Sequence, residues 1–343
     1  MLRAEWAEYR LDFKFEARTS REVMTRRLTR FVRLTDTATG RSAVGECNLF
    51  AGLSAEDAPD FPERMAEILR TADLSRPEQI ELSSVRFGVE SALRALSSTG
   101  STPFTRGEVG IPINGLIWMG DRDTMQARID AKLADGFRVL KLKIGGIDFE
   151  SELDLLRLIR RRYSADTLQL RLDANGSFTP DNALSRLRAL AQYHIHSIEQ
   201  PLRAGLVEQS ARLCAAGPIP IALDEELIGV RSRLQSALLL DAIRPQYIIL
   251  KPALCGGFSG CDIWISEAEN RGIGWWLTSA LESDIGLAAI ADYAVARGVT
   301  IPQGLGTGQL YYNNVKSPLR LRRDALWYDP AGQWQLPDLQ WQR

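Results

Sequence analysis

The sequence predicts an α/β protein, a (β/α)8-type barrel with an N-terminal α+β capping domain that the C-terminal tail completes. Three observations carry this. From Gly107 onward, short apolar runs recur about every 25 to 30 residues, each followed by helical periodicity; one strand, one helix and two loops need that length. Before Gly107, strand-like segments come first and helical ones after, without alternation. No GxGxxG opens the first alternating unit, which argues against the open doubly wound sheet made of the same pieces.

In chain order, Arg10 to Phe15, Arg26 to Thr35 and Ser42 to Cys47 carry β-branched and aromatic residues, with a polar turn at Asp36 to Gly40 between the last two. They predict an antiparallel meander. Phe61 to Ala72 and Ser83 to Leu96 repeat apolar residues at three and four spacings and predict helices. These segments form a cap over residues 1–106. The barrel strands expected in residues 107–317 are Ile111 to Asn114, Val139 to Ile144, Leu168 to Asp173, Ile195 to Glu199, Ile219 to Asp224, Tyr247 to Lys251, Trp275 to Ser279 and Val299 to Pro302. The tail, residues 318–343, is rich in Trp and Arg and is expected to return onto the cap. Ala17 to Met24 and Leu49 to Leu53 read as turn-like cap segments able to close over the barrel mouth, or as ordinary surface loops.

The 343 residues, 45% hydrophobic and 25% charged, suffice for a barrel and a cap. With a net charge of -1 and scattered basic residues, neither nucleic acid nor a membrane surface is an expected partner; a small molecule is. The first twenty residues hold charges every few positions and no apolar run of about twenty occurs, so a cytoplasmic location is expected. Cys47, Cys214, Cys255 and Cys261 form no CxxC pair and read as buried thiols.

The strand ends carry the chemistry. Lys141 and Lys143 close the second strand, Asp173 the third, Glu199 the fourth, Asp224 the fifth and Lys251 the sixth. In a barrel these ends share one mouth, where such folds place their active sites. One such acid alone would read as a helix cap or a turn residue. Three on successive strands make an oxygen cage for a hard divalent cation, Mg²⁺ with Mn²⁺ as a substitute. Zinc fits less well, because His194 and His196, the only histidines, both sit on the fourth strand. Lys141 and Lys143 are two apart and project inward together, so mutual repulsion is expected to lower both pKa values and favour a neutral amine base. The bland alternative is a pair that only neutralises the acids. GLGTGQL at Gly304 to Leu310 looks like a phosphate loop but lacks the Lys-Ser/Thr ending.

KLKIG at Lys141 to Gly145, LDANGSF at Leu172 to Phe178, SIEQP at Ser197 to Pro201, ALDEE at Ala222 to Glu226 and ILKPAL at Ile249 to Leu254 resemble the barrel motifs of the enolase superfamily, in its muconate lactonizing enzyme-like subgroup. The resemblance implies Asp173, Glu199 and Asp224 as metal ligands, with Lys143 and Lys251 on opposite faces of a carboxylate substrate. INGLIWMG at Ile113 to Gly120, IHSIEQPL at Ile195 to Leu202, LDEELIG at Leu223 to Gly229, KPALCGGF at Lys251 to Phe258, WWLTSALESDIGL at Trp275 to Leu287 and GLGTGQLY at Gly304 to Tyr311 are similar to the o-succinylbenzoate synthase branch. That likeness implies a hydro-lyase of menaquinone biosynthesis. Lys143 would take a proton beside the substrate carboxylate and Lys251 would stay protonated. Lys141, Ser279 and the backbone at Gly304 would contact substrate, the last two at its succinyl tail.

Other readings share the scaffold. A racemase of N-succinylamino acids would use the same two lysines. A dipeptide epimerase resembles its kin in an Asp-x-Asp on the last strand, whereas TIPQGLGTG at Thr300 to Gly308 holds no acid. Mandelate-type racemases need a His-Asp dyad without counterpart here. A noncatalytic binding barrel would be expected to have lost acids or lysines, and none is missing.

Overall fold

The computed structural model describes residues 1–18, 23–97 and 102–343. Its first strands, β1 (Leu2–Arg18), β2 (Val23–Asp36) and β3 (Ser42–Cys47), form an antiparallel sheet in that order. β1 and β2 run further than the alternation suggests, pairing from Leu2 with Asp36 to Arg18 with Val23 through an irregularity between Asp12 and Ala17. Ala17 and Met24 are therefore paired strand residues rather than a turn, and residues 19–22 of that expected segment lie outside the described ones. Two helices, α1 (Phe61–Thr71) and α2 (Ser83–Ser97), cover the sheet and bury Val32, Met65, Val85 and Val89 beneath them. α2 approaches β3 almost backbone to backbone: a Cβ on Gly45 would collide with the Gly88 carbonyl, and one on Gly88 with Cys47 Sγ.

Beyond the cap come β4 (Ile111–Pro112), β5 (Gly115–Ile117), α3 (Arg122–Ala134), β6 (Val139–Lys143), α4 (Phe149–Arg162), β7 (Gln169–Asp173) and α5 (Pro180–Ala191). There follow β8 (Ser197–Glu199), α6 (Val207–Ala216), β9 (Ile221–Leu223), α7 (Arg233–Ile243), β10 (Tyr247–Leu250), α8 (Gly257–Glu269), β11 (Gly274–Leu277) and α9 (Asp284–Ala296). Strands β5 to β11 are parallel neighbours in sequence order. The helices start where side chains satisfy their free N–H groups: Asp121, Asp148 and Ser232 accept from Thr124, Ser151 and Gln235. Each strand is buried on both faces. Leu140 and Leu142 of β6 belong to the large core, while Lys141 and Lys143 alternate with them.

The eighth position differs from expectation. Val299 to Pro302 forms no strand and exposes Ile301; the ring is closed by Gln303 and Gly304. Gln303 bridges Ile113 and Gly304 bridges Thr278, both in parallel. Gln303 N donates to Pro112 O at 2.8 Å and Gly304 N to Leu277 O at 2.8 Å. Two residues suffice because each uses its amide on one side and its carbonyl on the same neighbour, whereas Pro302 has no N–H to offer a ladder. The expected first strand also divides. Gly115–Ile117 pairs with β6, while Ile111–Pro112 pairs antiparallel with a later strand, Ala325–Tyr328. The latter belongs to a hairpin of β12 (Leu319–Arg322) and β13 (Ala325–Tyr328), after which Gln342 bridges Trp6 and Trp341 stacks under Arg33 at 4.1 Å.

Two buried carboxylates of the cap reach into the barrel. Glu46 of β3 accepts from Ser283 N at 3.0 Å, Ser283 Oγ at 2.6 Å and Gly286 N at 3.0 Å at the start of α9, and from Thr29 Oγ1 at 2.8 Å. Glu90 of α2 accepts from Phe258 N and from Ser259 N (3.2 Å) in the first turn of α8. Each places a negative charge where the helix dipole favours one.

Candidate active site

Register brings the charges together. Lys143 pairs with Asp173 and Asp173 with Glu199, so these inward-facing residues form one row across β6, β7 and β8. Asp224 follows β9 and Lys251 follows β10. Lys141 Nζ lies 3.0 Å from Asp173 Oδ2 and 2.5 Å from Glu199 Oε2. Lys143 Nζ lies 2.9 Å from the same Asp173 oxygen, and Lys251 pairs with Asp224. All six side chains are buried or nearly so. The strands bearing the acids stand between those bearing Lys143 and Lys251, which places the two amines on opposite sides of the acid row.

The electrostatics correct one expectation. Burial alone would lower the Lys141 pKa, but the carboxylates of Asp173, Glu199 and Asp224 outweigh it and hold the ammonium well above its ordinary value. Repulsion from Lys143 does not decide its state; the acids across the neighbouring strands do. Lys251 is likewise raised: burial opposes, and Asp224, Glu225 and Glu199 prevail. Burial would raise Asp173, yet Lys141 and Lys143 hold it well below the usual carboxylate range. Glu199 goes the other way, pushed up by burial and by the neighbouring Asp173 charge.

A cavity of about 70 Å³ opens over this row. Ser279 and Gly304 line it, together with Lys141, Lys143 and Lys251. Cap side chains Met24, Phe50 and Leu53 roof it, drawn from both segments expected near the mouth. Ser279 Oγ donates to Glu282 Oε2 at 2.5 Å and accepts from Leu281 N at 3.0 Å. The GLGTG segment that imitates a phosphate loop also borders the cavity, through Gly304, Gly306 and Thr307. His196 lies away from it, stacked on Tyr247 at 5.2 Å, its pKa pushed down to about 4 by burial and Arg171.

Several residues of the site went unassigned in the sequence. Asn175 Oδ1 accepts from Lys143 Nζ at 2.8 Å, and the Trp118 ring centre lies 5.7 Å from that nitrogen. Asn175 adopts φ +44°, a left-handed conformation that Asn tolerates better than most residues. Asn114 Oδ1 and Thr307 Oγ1 are buried in the cavity wall without a hydrogen-bond partner. All four stand in the quoted motifs LDANGSF, INGLIWMG and GLGTGQLY, but a neutral residue announces no role by type.

The model of the enolase C-terminal domain-like family matches residues 124–327. The o-succinylbenzoate synthase of Desulfotalea psychrophila is 46% identical over 349 aligned positions, spanning 90% of this chain and 94% of that one. The chain belongs to the o-succinylbenzoate synthase family of the enolase superfamily. The crystal structure of MenC from Desulfotalea psychrophila LSv54 superposes with a TM-score of 0.80 at 43% identity, over 95% of this chain and 99% of that one. A dipeptide epimerase from Cytophaga hutchinsonii, solved with Mg and the dipeptide D-Ala-L-Val, shares the fold at a TM-score of 0.85 and 20% identity over 99% of each chain.

Among the described residues no three His, Cys, Asp or Glu groups stand together at ligand spacing, and Lys141 Nζ lies between Asp173 and Glu199. The donor set nevertheless suits a hard cation. It is all carboxylate oxygen, it sits on consecutive strands, and Glu199 Oε1 is buried at the cavity without a partner.

Proposed function

We propose that this chain is an o-succinylbenzoate synthase that dehydrates 2-succinyl-6-hydroxy-2,4-cyclohexadiene-1-carboxylate. The observation that carries the reading is the pair Lys143 and Lys251 set on either side of three carboxylates, one with a buried unpartnered oxygen. Asp173, Glu199 and Asp224 would hold Mg²⁺. Bound there, a cation would supply positive charge against the second negative charge that develops on the substrate carboxylate.

The chain's own groups do the rest. Lys143 Nζ takes the proton from the ring carbon bearing the carboxylate, and the C–H electrons move onto the carboxylate as an enediolate. Asn175 Oδ1 holds the nitrogen in place as it changes charge. The C–O bond to the ring hydroxyl then breaks, the electrons return to make the ring aromatic, and the Lys143 ammonium gives its proton to the departing oxygen as water. One residue serves both transfers, so they occur on one face. Lys251 stays protonated and faces the opposite side of the ring, where its charge opposes that of the enediolate. Lys141 lends positive charge at the carboxylate end, and Ser279 with the Gly304 backbone borders the succinyl tail. A cavity of 70 Å³ holds two or three waters. Met24, Phe50 and Leu53 must therefore shift for the ring to enter.

The test is turnover by purified protein with MgCl₂ and the hydroxycyclohexadiene carboxylate, followed by appearance of the aromatic product. Conversion that EDTA stops and Mg²⁺ restores is expected. Absence of product, with racemisation of N-succinylamino acids in its place, would overturn the lyase reading and leave the proton-abstracting site standing.

A further inference from the structure

Behind the cavity wall lies a cation that the proposed reaction does not use. Arg27 of β2 points its guanidinium at the loop following β11. Nη1 donates to Ala280 O at 2.6 Å and Leu281 O at 2.9 Å, while Nη2 donates to Asn48 Oδ1 and, at 3.3 Å, to Leu49 O. Its plane lies over the Phe50 ring, 5.2 Å from the centroid. Asn48 Nδ2 donates to the same Ala280 oxygen at 2.9 Å, and Tyr311 OH to the Leu281 oxygen at 2.7 Å. The loop needs this support, because Leu281 has φ +64°, a left-handed conformation disfavoured for a non-glycine residue. Phe50, Ala280 and Leu281 are themselves cavity walls. A single side chain thus fastens a cap segment and a barrel loop to each other at the substrate's edge.

Its charge is the second feature. Among the described residues no carboxylate is within ion-pair distance of Arg27; its partners there are backbone carbonyls and a side-chain amide. Glu46, in the same seam, is hydrogen-bonded to Thr29, Ser283 and Gly286 and makes no direct contact with Arg27 among the described residues. Glu282, pushed up by burial and by Glu46, takes the Ser279 hydroxyl. A guanidinium whose hydrogen-bond partners among the described residues are all neutral, held against the backbone of the wall residues Ala280 and Leu281, favours an anion on the cavity side of that wall.

We propose that Arg27 is a specificity-determining positioning residue: by fixing the 279–281 shelf and placing a positive charge behind it, it selects substrates whose tail ends in a second carboxylate. The inference rests on the proposed lyase reading, since the succinyl tail is what would meet the shelf.

Affinity separates the two. The Mg²⁺-loaded protein is titrated calorimetrically with o-succinylbenzoate and with 2-butyrylbenzoate, in which a methyl replaces the distal carboxylate. Wild type is expected to prefer the dicarboxylate. Arg27→Gln, which keeps one donor for the carbonyls and discards the charge, is expected to shrink that preference about tenfold, mostly by weakening the dicarboxylate. Arg27→Lys, which keeps the charge and discards the fork, is expected to weaken both ligands alike and keep the preference. An unchanged ratio in Arg27→Gln, or a collapsed one in Arg27→Lys, overturns the proposal, and the second result decides even if the Gln variant does not fold. With wild-type turnover intact, such a result condemns only the role of Arg27. A wild type that neither turns over the substrate nor binds the product removes both.

Discussion

Lys143 and Lys251 carry the same side chain into different company. Lys251 faces a carboxylate, Asp224, whereas Lys143 divides its contacts between the Asp173 carboxylate and the neutral oxygen of Asn175, with Trp118 beside it. A neutral acceptor aims an amine without fixing its charge, which suits a group that must lose and regain a proton. Lys143→Ala is accordingly expected to cut turnover on the order of 10²–10⁴-fold, the range of a lost general base, while Mg²⁺ still raises the melting temperature. Retained activity would remove Lys143 from the mechanism. Glu152, in the first turn of α4, makes a different residue-scale prediction. Its carboxylate accepts from Gly145 N at 2.5 Å behind the Lys143 strand end, and burial raises its pKa to about 7 despite that bond. A raised folded-state pKa means the folded protein holds the proton better, so this contribution is complete below pH 4.5 and is lost as pH climbs through about 7. Glu152→Gln should flatten the fall in urea midpoint between pH 5 and 8; an equal slope in both proteins would refute it. The charged residues of the site were legible in the sequence because ionised groups at strand ends are conspicuous. Asn175, Trp118 and Thr307 were not, since only the fold shows where a neutral side chain points. The sign of the Lys141 shift also escaped, because it is set by acids on other strands.

At the scale of elements, the seam between cap and barrel is held by polar groups that replace missing helix partners. Glu46 meets four donors from fully buried groups, and Glu90 closes the first turn of α8. Removing such an acceptor leaves several donors unsatisfied, at roughly 1–3 kcal/mol for the first and more where a charge was involved. Glu46→Ala should therefore lower stability by about 2–4 kcal/mol, read from the urea midpoint, the scale of leaving several buried donors unsatisfied. Glu208→Ala, which removes only the exposed pair with Arg212 at 3.7 Å, should change it by less than about 1 kcal/mol. Comparable losses in the two variants would mean the seam does not depend on Glu46. None of this was visible beforehand. Glu46 and Ser283 are 237 positions apart, and neither belongs to a periodic pattern that joins them. The elements themselves were far more legible, since their periodicity is local. The exception is informative: Val299 to Pro302 has the composition of a strand, but Pro302 cannot donate, and the shorter Gln303–Gly304 step, with Gly304 fitting tightly against Thr278, takes its place.

Over the whole molecule, parallel strands deliver six charged side chains to one end, and the cap is fastened over that end. Concentrating Asp173, Glu199 and Asp224 there opposes folding unless the charge is compensated, and the three lysines provide that compensation. A divalent cation bound to the same acids would add to it, and because the acids converge only in the folded chain, its binding free energy becomes folding free energy. At a concentration one hundred times its dissociation constant a ligand contributes about 2.7 kcal/mol, which for a domain of this size is a rise of a few degrees in melting temperature. Wild type and Lys143→Ala should both show that rise on titration with MgCl₂, since neither lacks a proposed ligand. Asp173→Asn and Asp224→Asn should show little or none. Potassium chloride at matched ionic strength controls for screening, which would act on all four proteins alike. An equal shift with potassium, or a full Mg²⁺ response in the two Asn variants, would place the cation elsewhere and separate these acids from it.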